Sequence, residues 1–169
     1  MDREFVMKNV ENSEDSYLLA ANYKFVAQGF ILSAKKLVED INVDEYGIPE
    51  GKGYNFPFYF LISHAMELYL KAALLKRGFT EKKLKKFDYR HNLEALLEQL
   101  QRKGVVISDG TIVVVKGLSE QHKEHLLRYS AIIDEQVVFS KFHPPLYVVF
   151  RALDELLLAT KVSTEPMPV

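Results

Sequence analysis

NFPFYFLISHAMELYLKAALLKRG, residues 55–78, decides the fold of this 169-residue chain. Its apolar residues recur at steps of three and four, the period of a helix rather than a strand. Leu61, Ala65, Leu68, Ala72 and Leu75 make one apolar face, and Tyr59, Ile62, Met66, Tyr69 and Ala73 make an adjoining one. Asn55 suits an N-cap, Pro57 falls in the first turn where its missing N–H costs little, and Gly78 supplies a stop. A helix apolar around most of its circumference belongs in the middle of a bundle. One narrow polar line interrupts it, formed by His64, Glu67 and Lys71. Glu67 precedes Lys71 by one turn, the favourable order for an intrahelical ion pair. In a core this line needs hydrogen-bond partners from other helices, because desolvation otherwise cancels the attraction.

Composition narrows the class. Apolar residues make up 48% and charged residues 27%, enough for one domain with its own core. A net charge of −1 exerts no global pull toward nucleic acid or membrane. The chain has no cysteine, which excludes disulfides and thiol catalysis and suits a cytoplasmic protein. The polar, acidic start MDREFVMKNVENSEDSY is unlike a signal peptide. The charged groups at His64, Glu67 and Lys71 argue against a membrane span.

Outward from the central stretch, the rest reads mainly as helices. Residues 1–12 are expected to be a flexible leader, with Asn12 or Ser13 capping a first helix. In that helix Leu19, Tyr23, Val26, Phe30, Ala34, Leu37 and Ile41 form the predicted core line. Residues 44–54, rich in glycine, form a loop. Thr80 can cap a short basic turn, and Asp88 can cap a third long helix that buries Leu93, Leu96, Leu97 and Leu100 and stops near Gly104. Residues 105–115, VVISDGTIVVV, place two β-branched runs around Asp109-Gly110, a strong hairpin signal. The edge of such a hairpin, like the aromatic-rich residues 56–60, is a candidate contact with a second copy. Leu118, His122, Leu126, Tyr129 and Ile133 mark a fourth helix, with Ser119 as its expected N-cap. Pro144 and Pro145 open the last helix, where Arg151 and Glu155 are spaced to pair, and residues 162–169 are a flexible tail. The predicted fold is therefore an all-α, mainly antiparallel bundle of about five helices over residues 13–161, with one small β-hairpin insertion.

Two polar features carry the candidate chemistry. The first is the seam of His64, Glu67 and Lys71, which Tyr89-Arg90-His91-Asn92 and the Arg128-Tyr129 pair are placed to meet. Arg128 is a natural bidentate partner for a carboxylate such as Glu67. The second lies between Lys76 and Lys103, where nine basic residues face four acids. Lys82, Lys83, Lys85, Lys86 and Arg90 are its candidate nucleic-acid contacts, although a solvated helix connection has the same composition. His122 and His125, at i,i+3, are spaced to share a metal, but they lack the His-Glu-x-x-His pattern and an evident third ligand, so no metal or cofactor is expected.

His64-Ala-Met-Glu-Leu-Tyr-Leu-Lys71, Gly78, His91-Asn-Leu-Glu-Ala-Leu-Leu and Leu127-Arg-Tyr129 together resemble the HEPN superfamily across residues 13–160. The resemblance implies an all-α bundle, commonly a homodimer, of a kind found among RNA-cutting toxins, anti-phage systems and non-catalytic RNA- or nucleotide-binding relatives. It implies a non-catalytic module that binds RNA, a nucleotide or a partner protein, in a defence or toxin–antitoxin setting. The ribonuclease members carry an Arg-x4-6-His pattern on the late helix. No arginine here is followed by a histidine at that spacing. The alternative is a degenerate, metal-independent ribonuclease that pairs Arg128 with His91 or His64.

Overall fold

The central helix, α2 (Asn55–Leu75), packs against α1 (Arg3–Val38), α4 (Leu93–Arg102), α5 (Asp109–Lys123) and α6 (Leu146–Ala159). A four-residue helix, α3 (Glu81–Leu84), and a 3-10 turn, Phe87–Tyr89, bridge α2 to α4. The computed structural model describes residues 3–39, 42–47, 55–123 and 144–161, and among these there is no strand. The architecture is an all-α bundle, as the periodicity of residues 55–78 requires.

Phe58, Tyr59, Ile62, Met66, Leu70 and Leu74 of α2 are fully buried. The segment Pro57–Leu75 is long and apolar enough to cross a membrane, yet 72% of it is buried inside the bundle. Core position alone accounts for that composition. Within residues 56–60, Phe58 and Tyr59 are buried in the core.

α2 ends as its glycine predicts. Gly78 has φ 83, its N–H bonds Leu75 O at 3.1 Å, and the N–H of Phe79 bonds Leu74 O at 3.1 Å. This Schellman closure folds Phe79 back onto the core. Gly104, φ 81, closes α4 in the same way through Leu100 and Gln101. The Arg77 guanidinium donates to Ala73 O at 2.9 Å and Ala159 O at 2.8 Å, joining the C-terminal ends of α2 and α6.

Four expectations need correction. First, α1 starts at Arg3, so Asn12 and Ser13 lie inside it rather than capping it. Of the expected core line, Ala34 is buried, Leu19, Tyr23 and Phe30 pack half-buried against the core and Val26 is exposed, while Ala20 and Ala27 complete the buried face. Large apolar residues occur all around this helix, and alanine wins the contact because it allows the closest approach to α2. Second, α4 begins at Leu93, with Asn92 rather than Asp88 as its cap: Asn92 Oδ1 accepts from Ala95 N at 3.1 Å.

Third, the expected hairpin over residues 105–115 is absent. Asp109-Gly110 opens α5, and Thr111, Val114, Val115, Leu118 and His122 are buried along one helical face. Strand preference of β-branched residues is worth about 1 kcal/mol at most, less than burial of that face supplies. The helix start is held from α6. Ser108 N–H donates to Glu155 Oε1 at 2.7 Å, and the hydroxyls of Ser108 and Thr111 donate to Glu155 Oε2 at 2.6 and 2.5 Å. A carboxylate there also suits the positive end of the helix dipole. Glu155 therefore serves α5 instead of the expected pairing with Arg151.

Fourth, Ser119 lies within α5 and caps α4, accepting from Glu94 N at 3.0 Å. The later part of the expected fourth helix, including His125, Arg128 and Tyr129, lies outside the described residues, as does the tail 162–169.

Pro144 and Pro145 do open the last helix. The Tyr59 hydroxyl donates to Pro144 O at 2.7 Å, fixing that start against α2.

Gly110 separates the two readings of residues 105–115. A Cβ built there meets nothing within 4 Å and its φ is not positive. Gly110→Ala is expected to stabilise the protein by about 0.5–1 kcal/mol in urea denaturation, since helix formation no longer has to restrain a glycine. A loss of similar size, as a hairpin turn needing positive φ would give, contradicts the helix.

Candidate functional site

Glu67 sits one helical turn before Lys71 on the inward side of α2, where it is 4% exposed. Lys71 Nζ donates to Glu67 Oε1 at 2.5 Å. The other oxygen, Oε2, accepts from His122 Nε2 at 2.6 Å and from His91 Nδ1 at 3.1 Å. Three elements thus meet on one carboxylate: α2, the residue just ahead of the α4 cap, and the last turn of α5. His64, one turn earlier on α2, stacks edge-on to His122 with ring centroids 4.8 Å apart. Phe30 of α1 and Phe60 of α2 enclose it, at 5.6 and 4.5 Å.

Each partner is set by local structure. His122 completes the buried face of α5 and is 3% exposed. His91 is held by backbone: its φ of 57 is the left-handed conformation, which costs a non-glycine residue about 1 kcal/mol or more. The next residue, Asn92, is locked by its cap to Ala95 and packs beside Ser119 of α5. The strained turn aims the half-buried imidazole back at Glu67.

The charges follow from this geometry. Burial alone would raise the Glu67 carboxyl. The hydrogen bond from His122, with the attraction and hydrogen bond of Lys71, outweighs burial and holds it well below the usual carboxylate range. Glu67 is therefore ionised in the core. On the α1 side, burial first, then the field of Glu81 and more weakly that of Glu67, pushes the Tyr23 phenol up.

Of the seam read from sequence, the structure brings together His64, Glu67, Lys71 and His91. Arg128 lies outside the described residues. His122 takes a place at Glu67 that the sequence reading gave to Arg128. The signal for it was present: His122 follows Leu118 on an apolar helical line, so it points inward. The donor atoms of Glu67, His91 and His122 all lie within 4.8 Å of one another.

The basic segment lies next to this cluster. Lys82, Lys83, Lys85, Lys86 and Arg90 are all exposed, and Arg90 directly precedes His91. Phe87, in their midst, is 87% exposed. Lys83 lies over the Phe79 ring, 4.1 Å from its centroid, and Lys85 pairs with Glu81 at 2.7 Å. No family model matches the chain, and no curated protein or solved structure matches it.

Removing Glu67 leaves an ammonium and two imidazole N–H groups without their acceptor in the core. Glu67→Ala is expected to cost about 3 kcal/mol in chemical denaturation, the scale for breaking a buried pair from one side. The folded carboxyl is depressed, so its contribution is fully present above its ordinary value of 4.5 and is lost as pH falls toward the folded value. Below pH 4.5 the wild type therefore loses stability more steeply than Glu67→Gln, which urea midpoints across an acid series would show.

Proposed function

We propose that this chain is a non-catalytic, HEPN-like module that binds single-stranded RNA through the segment around α3. The observation that carries this reading is the exposed Phe87 flanked by Lys82, Lys83, Lys85, Lys86 and Arg90. A large aromatic ring left in water is costly on a folded surface unless something covers it. A nucleobase stacks on such a ring whatever its identity, and the surrounding cations attract the phosphates on either side. Single-stranded RNA matches both requirements, whereas an RNA duplex keeps its bases stacked on each other. The Lys85–Glu81 pair is solvent-exposed and gives way readily to a phosphate. The polar cluster behind the segment supports this reading structurally: it fixes His91, and so the start of α4 and the position of Arg90.

A second reading, a metal-independent ribonuclease, draws on one observation. His91 is only half-buried, stands at the edge of the basic segment and is anchored through Nδ1 to an ionised carboxylate. A histidine so oriented has the form of a proton-transfer group.

Fluorescence anisotropy with a labelled single-stranded RNA tests the binding reading. Affinity is expected to fall with salt, with a log–log slope of about −0.7 for each phosphate contacted. Phe87→Ala is expected to weaken binding roughly 5- to 150-fold, the equivalent of about 1–3 kcal/mol of lost stacking. The double substitution Lys82→Glu, Lys86→Glu is expected to reduce both affinity and slope. Wild-type binding that is absent, or indifferent to Phe87, overturns the proposal. Cleavage of the same RNA in the presence of a chelator, lost in both His91→Ala and Arg128→Ala, favours the ribonuclease instead.

A further inference from the structure

We propose that Glu67, His91 and His122 form a binding site for one divalent ion of the zinc class, independent of any RNA surface. The donor set comes first. Two imidazole nitrogens and one carboxylate oxygen suit Zn2+ and its borderline neighbours, whereas Ca2+ and Mg2+ select all-oxygen sites.

The geometry comes second. Oε2 of Glu67 lies 2.6 Å from Nε2 of His122 and 3.1 Å from Nδ1 of His91, and a ligand atom from each of the three residues lies within 4.8 Å of the others. Tetrahedral ligands with bonds of about 2.1 Å stand roughly 3.4 Å apart. The two edges meeting at Oε2 measure 2.6 and 3.1 Å, so each opens by less than about 1 Å to admit an ion. Small side-chain rotations supply that. Both ring nitrogens already converge on Oε2. To bind the ion each neutral imidazole presents that nitrogen's lone pair and carries its one proton on the other ring nitrogen. A fourth ligand would be water, and His91, with 22% of its side chain exposed, is the member of the set in contact with solvent.

The third point is where the ligands come from. They belong to α2, to the turn ahead of α4 and to α5, so one ion ties together three elements that also pack through the core. The left-handed His91 backbone shows that the chain tolerates strain to place this ring.

Lys71 opposes the ion. Its ammonium holds Oε1 of the same carboxylate, at 2.5 Å. The ion uses Oε2 and leaves Oε1 to Lys71, and the two cations repel across the carboxylate. The site therefore binds more weakly than its donor set alone would allow, and Lys71 sets the difference.

The test uses tag-free protein, stripped with a chelator and titrated with Co2+ as a spectroscopic stand-in for Zn2+. The expected result is a visible d–d band of four-coordinate cobalt that saturates at one equivalent and is displaced by Zn2+. His91→Gly, which suits the positive φ and so keeps the fold, is expected to weaken Co2+ at least tenfold, and His91→Asn to do the same. His125→Ala is expected to leave binding unchanged, and Lys71→Met to tighten it about tenfold. Circular dichroism confirms that each variant is folded. A wild type without the band overturns the proposal. So does a band that survives His91→Gly but is lost in His125→Ala, which assigns the ion to the His122–His125 pair. The readout contains no RNA, so failure of the RNA reading leaves this result standing, and the reverse holds too.

Discussion

A carboxylate cannot be left alone in a protein interior, and the structure is built around that constraint at Glu67. An isolated buried charge costs several kcal/mol, so every donor that reaches it is held to a defined place. Lys71, His91 and His122 supply those donors from α2, the α4 start and α5. Apolar packing by itself tolerates small slides and repacking. A hydrogen bond 2.6 Å long between two side chains that are each almost fully buried does not. The register of α5 on α2 is therefore set by chemistry at one point, and the leucines and valines along the rest of the interface fill the space this leaves.

The same device recurs at the helix ends. Orphan backbone groups there need partners, and in this bundle neighbouring helices provide them. Ser119 of α5 caps α4, Glu155 of α6 holds the start of α5, and Arg77, just past α2, reaches the carbonyl of Ala159 at the end of α6. Each cap is thus a tertiary contact as well as a local one. Glu155 shows the electrostatic side. Although partial burial raises its carboxyl, three hydrogen bonds from Ser108 and Thr111, with the attraction of Arg151, keep it low. The cap consequently works with an ionised group at the positive end of a helix.

This arrangement explains which parts were legible in the sequence. The central helix, its polar line, the closing glycines and the double proline all state local preferences that tertiary structure leaves intact. α5 does not. Its valines and Asp109-Gly110 favour a hairpin locally, and the helix is decided by Glu155 from more than forty residues away. No local window contains that partner. On α1 the ambiguity is different: Leu18, Phe25 and Leu32 are exposed while Ala20, Ala27 and Ala34 are buried. Hydrophobicity ranks these residues in the wrong order, because close approach of two helices rewards small size. His122 was legible as an inward residue but its partner was not, since pairing a histidine with Glu67 requires the α5 register first.

The cluster and the basic segment are chemically separate but mechanically joined, and His91 is the joint. Its backbone continues directly from Arg90, while its ring is tied to Glu67. Its left-handed φ makes the chain turn at this residue, so the direction in which the α3 segment leaves the bundle depends on the ring staying where Glu67 holds it. Phe79 secures the other side: it is buried by the closure of α2, stacks edge-on with Tyr89 and lies beneath Lys83. A surface of lysines on flexible stems gains little selectivity from charge alone. Pinned at both ends to the core, the same lysines and Phe87 are presented in a fixed order, and the buried carboxylate is what fixes one of those ends.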